Sequence, residues 1–210
     1  MNIAIVGGGI VGLALGYKLS KIKGNKIHVF EKEKEVGFHQ SGRNSGVLHC
    51  GLAYKPGSLK AKLAVSGIKQ MVKYCENYKI NHDVCGKIVV ASDENEKKLL
   101  DETAKRGNLN GLKGLKYLND SELKNREPFV SSYKSLLVPE EGIVDYIGVM
   151  LSMKENIINL GGDVFLNSKI KKIEEIKNKI YINNNSSISY NNIIYTTGLQ
   201  SDINFKKFTN

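Results

Sequence analysis

The feature that most narrows the fold lies at the very start of the chain. Asn2 to Val6 is dominated by apolar, β-branched residues, the pattern of a strand buried on both faces of a parallel sheet. Gly7-Gly8-Gly9-Ile10-Val11-Gly12 follows at once, and a helical apolar pattern then runs through Leu13, Leu15, Tyr17 and Leu19. A second apolar run, Lys26 to Phe30, ends at Glu31. G-x-G-x-x-G therefore stands where it has a physical meaning, between a strand and a helix and ahead of a strand that ends in an acid. Gly7 permits the sharp turn. Gly9 has no side chain, so the backbone can approach a pyrophosphate, and Gly12, helped by Gly16 one turn later, lets the helix lie close to the sheet. The helix N-terminus offers unpaired N–H groups and the positive end of its dipole to phosphates. Glu31 is placed to accept hydrogen bonds from both adenosine ribose hydroxyls, and its charge disfavours a 2′-phosphate. Dinucleotide binding is the reading, with a merely structural βα turn as the weaker alternative.

NAD and FAD share this half-motif, so the next segment has to separate them. An NAD domain continues with another helix and strand of the same sheet. Here the chain enters a polar, glycine-rich stretch, His39-Gln40-Ser41-Gly42-Arg43-Asn44-Ser45-Gly46-Val47-Leu48-His49. Long loops inside a compact domain are usually functional. Small residues and donors such as Asn44, Ser45 and Gly46 suit a segment lying along an extended cofactor, with backbone N–H groups turned toward phosphate or a flavin ring. Lys32, beside Glu31, joins the cofactor set.

Composition removes several other classes. With 210 residues, 41% apolar and 25% charged, the chain can bury a real core without disulfides or a structural metal. Cys50, Cys75 and Cys85 are an odd number without ligand spacing, so no metal is expected and a reducing, cytoplasmic setting is. The net charge of +10 invites a nucleic-acid reading, yet the arginines are only Arg43, Arg106 and Arg126, and the lysines are dispersed. Nucleic-acid surfaces rely on clustered charge and on arginine, so no nucleic acid is expected as a partner. The apolar run from Ile3 to Gly16 is short for a membrane span and is split by glycines, so no targeting or spanning segment is expected.

The stretch H-Q-S-G-R-N-S-G-V-L-H-C-G-L-A-Y-K-P-G-S-L-K-A-K-L, residues 39–63, resembles the L-2-hydroxyglutarate dehydrogenase/oxidase family, within the FAD-dependent, amino-acid-oxidase-like superfamily. The similarity continues through Cys85-Gly86-Lys87, Arg126-Glu127-Pro128, Val138-Pro139 and Gly142-Ile143-Val144-Asp145-Tyr146. It reaches Gly161-Gly162 and Thr197-Gly198-Leu199-Gln200-Ser201-Asp202. Position 43 departs from the pattern, being Arg where many relatives carry His.

The resemblance implies an α/β fold: a discontinuous, Rossmann-like FAD-binding domain at 1–80 and 145–210, with 81–144 beginning an inserted antiparallel substrate-binding sheet. It implies that residues near Ile170 contact adenine through backbone groups and that the strand ending in Gly198 returns to the pyrophosphate. The implied reaction moves a hydride from C2 of a 2-hydroxy dicarboxylic acid, L-2-hydroxyglutarate, to flavin N5, giving 2-oxoglutarate. That chemistry needs a base for the hydroxyl proton and cations for two carboxylates. His49 is the candidate base, since histidine as a residue type titrates near neutral pH; a hydrogen bond to flavin or to the loop is its alternative. Arg43 and Lys55 are candidate carboxylate partners, with solvated charge as the alternative. Oxygen or a quinone is the implied electron acceptor, and a quinone carries the expectation of peripheral contact with the inner membrane. Family members are substantially longer, so a non-catalytic flavin-binding fragment stays open beside the enzyme, as does an amino-acid, sarcosine or glycine oxidase.

The rest of the chain reads as ordinary elements. Ser58 to Tyr78 is an amphipathic helix with Ala61, Ala64, Ile68, Met71, Val72 and Cys75 on one face, which makes Cys75 core. Val84 to Ala91 reads as one strand, and Asp93 with Glu96 as a capping box for a helix. Asn119 with Glu122 repeats that device before Pro128. Leu136 to Val138 and Asp163 to Leu166 are short strands, Asp145 precedes a helix to Leu160 as its expected N-cap, and Lys169 to Tyr190 is a β-meander turning at Asn183-Asn184-Asn185. Asn192 to Thr196 is the last strand.

Overall fold

The computed structural model describes residues 1–171, 173–176, 179–182 and 185–202. Backbone contacts divide them into two units, one of residues 1–45 with the segment from Tyr146 onward, the other of residues 46–145. The first unit begins with β1 (Asn2–Val6), α1 (Ile10–Ser20) and β2 (Lys26–Phe30). The second holds β3 (Val47–Leu48), α2 (Leu59–Tyr78), β4 (His82–Asp83), β5 (Lys87–Ala91) and α3 (Glu94–Leu109). It continues with β6 (Lys116–Leu118), α4 (Asp120–Arg126), β7 (Lys134–Val138) and β8 (Gly142–Val144). The chain then re-enters the first unit with α5 (Tyr146–Asn159), β9 (Asp163–Phe165), β10 (Ile173–Ile176), β11 (Lys179–Ile182), β12 (Asn185–Tyr190) and β13 (Asn192–Tyr195).

In the first unit, the order β13–β1–β2–β9 forms a parallel sheet. Parallel strands need crossovers that cover the sheet faces, and the strand sequences show this: Ala4, Ile5, Ile27 and Val29 are fully buried. α1 packs against α5. Gly16 makes that approach possible, because a Cβ there would lie 3.0 Å from Ile157 and 3.4 Å from both Ile5 and Val29. β10, β11 and β12 pair antiparallel in the expected meander, and Ile170 and Tyr190 pack on Ala4 and Val6. Asn183 and Asn184, the expected turn, lie outside the described residues.

A buried polar cluster crosses this unit. His28, in the middle of β2, is 1% exposed. Its Nδ1 shares a 2.8 Å hydrogen bond with the Tyr190 hydroxyl, and its Nε2 lies 3.3 Å from Asp163. Burial holds the imidazole below its ordinary pKa; Asp163 opposes that shift and Lys26 adds to it. Burial, followed by the charge of Asp163, pushes the Tyr190 hydroxyl up to about 12.

The second unit contains two antiparallel sheets, β3–β8–β4 and β5–β7–β6. Its core gathers Cys50, Leu52, Leu100, Ala104, Leu136 and Val138, with Ile68 of α2 packed against them. Cys75 is fully buried on the α2 stripe. The sequence draws a boundary near residue 80, whereas backbone contacts draw one at 45, where β3 starts pairing with β8.

Two local expectations change. The Val84–Ala91 strand is interrupted, because Gly86 at φ +79° turns the chain and donates its N–H to the Glu141 carbonyl. Asp93 does cap α3, accepting from the N–H groups of Asn95 and Glu96. Glu96, however, reaches past the cap to accept from the backbone N–H and hydroxyl of Ser92. The reciprocal box forms in full at Asn119 and Glu122. α5 begins at Tyr146, directly after Asp145, whose N–H donates to the Asn81 carbonyl.

Candidate functional site

The G-x-G-x-x-G turn of the first unit is built by exclusion of side chains. Gly7 has φ +114°, and a Cβ there would fall 2.5 Å from the Thr196 carbonyl oxygen. Gly12 is tighter: its Cβ would sit 2.1 Å from the Gly7 carbonyl oxygen and 2.6 Å from Thr196 Oγ1. The third glycine of the motif thus protects the turn itself, and the close packing of helix on sheet falls to Gly16. Thr196, just past β13, closes the turn, with its N–H on the Val6 carbonyl and its hydroxyl 3.1 Å from the carbonyl oxygens of Val6 and Gly7.

Gly8 couples this turn to Glu31. Its N–H donates to Glu31 Oε2 at 2.7 Å, while Oε1 accepts from the Glu33 N–H at 2.9 Å. The carboxylate is therefore buried and aimed. A carboxylate has about four acceptor positions, so two such bonds leave lone pairs for ligand hydroxyls.

The loop after β2 is organised by its own hydrogen bonds. Gly37, at φ +70°, donates to the Gly8 carbonyl, and Ser41 Oγ accepts the Ile10 N–H at the start of α1. Asn44 turns its amide back to the carbonyls of Gln40 and Ser41. His39 lies 2.9 Å from Glu33, and Lys32 lies 3.3 Å from the same carboxylate. Hydrogen bonds from His39 first, then Lys32, hold the Glu33 carboxyl below the usual carboxylate range.

These pieces surround a cavity of about 470 Å³. Gly7, Gly9, Glu31, Lys32, Ile170 and Gly198, which the sequence assigns to the cofactor, line it. Arg43 lines it as well, with its guanidinium 4.6 Å from the centre of the Phe38 ring. Gly12 lies behind the wall, against Gly7. Among the described residues, Asn44, Ser45 and Gly46 are not part of the lining; Gly46, at φ +71°, begins the second unit and accepts from the Val144 N–H.

The cavity fits FAD on the chemistry of its walls. Gly9 caps α1 without a side chain, Ser41 takes only the Ile10 N–H, and no acid stands in the first turn, so the positive end of the helix favours an anion. Glu31 supplies acceptors for ribose, and buried Ile170 supplies an apolar surface for a base.

The second unit holds the other candidates. His49 follows β3, is exposed, and places Nδ1 3.6 Å from Glu141 Oε1. Lys55 is exposed, and its carbonyl accepts from the Ser58 hydroxyl and N–H ahead of α2. Cys50 is fully buried, and burial followed by the charge of Glu141 pushes its thiol up to about 12, which suits a neutral core donor. Sequence reasoning missed Gly8, Thr196, Phe38 and Glu141. The first is visible as the second residue of the motif. The other three act through partners or pockets that no local pattern reveals.

Residues 2–209 match the family described as FAD dependent oxidoreductase. The chain is 44% identical over 203 residues to the L-2-hydroxyglutarate dehydrogenase of Indibacter alkaliphilus, which takes in 96% of this chain and 51% of that protein. It is 41% identical over 180 residues to the mitochondrial L-2-hydroxyglutarate dehydrogenase of Pongo abelii, 85% of this chain and 43% of that one. The FAD-bound, dithionite-reduced L-α-glycerophosphate oxidase of Mycoplasma pneumoniae shares the fold, with a TM-score of 0.88 at 24% identity over 99% of this chain and 56% of that chain. The chain spans about half the length of the curated relatives it matches.

Proposed function

Because the chain belongs to the FAD-dependent oxidoreductase family, we propose that it forms the cofactor-holding part of an enzyme that oxidises a 2-hydroxy dicarboxylic acid, L-2-hydroxyglutarate, to 2-oxoglutarate. One observation carries the choice of substrate: the 44% identity to a protein named for that activity extends over 96% of this chain. The cavity in the first unit supports the choice of cofactor, through the acid-free first turn of α1 and the aimed carboxylate of Glu31.

FAD, when bound, supplies the two-electron acceptor for the hydrogen leaving C2. The chain's own residues take the remaining tasks. Gly7 and Gly9 bring main chain to the pyrophosphate, and Glu31 accepts the ribose hydroxyls. Ile170 lies against adenine. Lys32 and Gly198 complete the wall, and the stretch Asn44-Ser45-Gly46 leads from it into the second unit. Arg43 is assigned one substrate carboxylate as a planar, permanently charged fork. His49 is assigned the hydroxyl proton and Lys55 the second carboxylate. The same reading places the protein in the cytoplasm or peripheral to the inner membrane, with oxygen or a quinone accepting the electrons. Among the described residues, no helix is long and apolar enough to cross a membrane.

Anaerobic titration of the yellow, FAD-loaded protein tests the reading. L-2-hydroxyglutarate is expected to bleach the flavin, and His49→Ala to slow the bleaching by about a hundredfold while leaving flavin bound. Bleaching by glycine, sarcosine or a D-amino acid in its place would move the substrate to the amine class. Flavin that binds but accepts electrons from none of these identifies a cofactor-binding unit without turnover. An unchanged rate in His49→Ala removes His49 from the mechanism.

A further inference from the structure

In the second unit, one buried carboxylate gathers three polar neighbours. Glu141 sits in the turn between β7 and β8, and its side chain is only 2% exposed. Lys87, at the start of β5, forms an ion pair with Oε2. On the other oxygen, Cys50 donates its thiol to Oε1 at 3.5 Å, and His49 Nδ1 lies 3.6 Å away, just beyond a direct hydrogen bond, with the carboxylate charge facing that nitrogen. The adjacent acid is used elsewhere, since Glu140 Oε1 accepts from the N–H groups of Lys113 and Gly114.

Burying a carboxylate is costly unless it is paired. Lys87 satisfies that requirement on one oxygen and has only donors to offer. Oε1 is then an acceptor whose two nearby groups are a thiol, kept protonated by burial, and one imidazole nitrogen. A neutral imidazole has one donor nitrogen and one acceptor nitrogen, and the group beside one of them decides which is which. An acceptor beside Nδ1 selects the Nδ1–H form, the reverse of the Nε2–H form that a free imidazole favours in water.

We infer that Glu141 is a positioning residue for His49: its Oε1 keeps the imidazole proton on Nδ1 and leaves Nε2 bare to accept a proton. The inference deepens the assignment of His49 as base and rests on it for its catalytic meaning. A substrate O–H then breaks as an N–H bond forms at Nε2, and the positive charge gained by the ring lies beside the Glu141 carboxylate.

The tautomer can be read directly, without turnover, from the imidazole 15N resonances of the labelled 210-residue chain at about pH 8.5, where histidine is neutral. His49 is expected to show a protonated Nδ1 and a bare Nε2. In Glu141→Gln, Lys87 takes the amide oxygen, the amide NH2 turns toward Nδ1, and the protonated resonance is expected to shift from Nδ1 to Nε2. An Nε2–H form in the unaltered chain overturns the inference, and so does an unchanged tautomer in the folded variant. Should Glu141→Gln fail to fold, the unaltered chain alone decides. An Nδ1–H tautomer together with an unchanged bleaching rate in His49→Ala keeps the positioning role and removes the base assignment.

Discussion

The cavity of the first unit and the polar cluster of the second are assembled in opposite ways. Around the cavity, the decisive groups are main chain: the Gly7 and Gly8 turn, the start of α1, and the Thr196 carbonyl that allows no Cβ at Gly7. Around Glu141, the decisive groups are side chains contributed by β5, by the residues after β3 and by the turn before β8. A site built from backbone is specified by what is absent, and one methyl group destroys it. A site built from side chains is specified by a charge balance, and an isosteric change of charge redirects it without necessarily unfolding it.

The largest expected effect strikes the first kind of site. Gly12→Ala places a methyl group on the Gly7 carbonyl, where neither backbone nor the Thr196 hydroxyl can yield cheaply. Overpacking of this kind costs about 3 kcal/mol. Urea unfolding should show the loss, and flavin absorbance should show that the remaining folded protein no longer retains FAD. A variant of normal stability that still binds FAD would break the contrast between the two sites.

A smaller effect is expected from Glu31→Gln, which keeps the volume and removes an acceptor. The N–H groups of Gly8 and Glu33 both point at the carboxylate, and an amide can satisfy only one of them. An unsatisfied buried donor costs about 2 kcal/mol. The variant should unfold at lower urea and bind FAD about tenfold more weakly, the second effect being one lost charge-assisted bond to ribose, on the order of 1.4 kcal/mol. FAD affinity unchanged beside reduced stability would make Glu31 a brace for the turn and not a ligand.

The gentlest prediction tests the contrast from the other side, because the first unit also contains a buried side-chain cluster. His28 has a folded-state pKa held below its ordinary value by burial. As pH falls below about 6.5, the unfolded chain takes up a proton that the folded chain resists. Stability is therefore full above that pH and declines as pH drops toward the folded-state value. Urea midpoints at about pH 7.5 and pH 5.5 should reveal the slope, and His28→Phe should flatten it, whatever it does to the midpoint itself. A slope of equal size in the variant places its source elsewhere.

Legibility followed range. β1 and β2 have the bounds the sequence predicts, Asn2–Val6 and Lys26–Phe30, because apolar runs ending in glycine or an acid are local signals. Asp93 and Asn119 are caps as expected, since a cap acts within three residues, and Ser58, expected as the first helical residue, is the N-cap of α2. The same shortness of range explains the error at Glu96: Ser92 and Asp93 are adjacent, and residue type alone does not say which one it reaches. The Val84–Ala91 strand reads as continuous because Gly86 is the sole interruption, and only its partner at Glu141 reveals the turn. Gly7, Gly9, Glu31, Lys32, Ile170 and Gly198, named from the sequence for the cofactor, share the wall of one cavity. Arg43 was expected beside substrate, and it stands on the cavity wall over Phe38.

From the sequence alone came the βαβ turn, because glycine spacing and strand composition are steric requirements settled within a few residues, while the family came from the resemblance carried by residues 39–63. Tertiary structure alone decided that Gly12 guards the Gly7 carbonyl, that Thr196 closes the turn from the far end of the chain, and that Glu141 meets His49, Cys50 and Lys87. Apart from Gly12 and Gly7, which are neighbours in the turn, those contacts join positions separated by tens of residues or by nearly the whole length of the chain. Their energies arise only when folding brings donors, acceptors and charges together out of water, and no local pattern encodes that convergence.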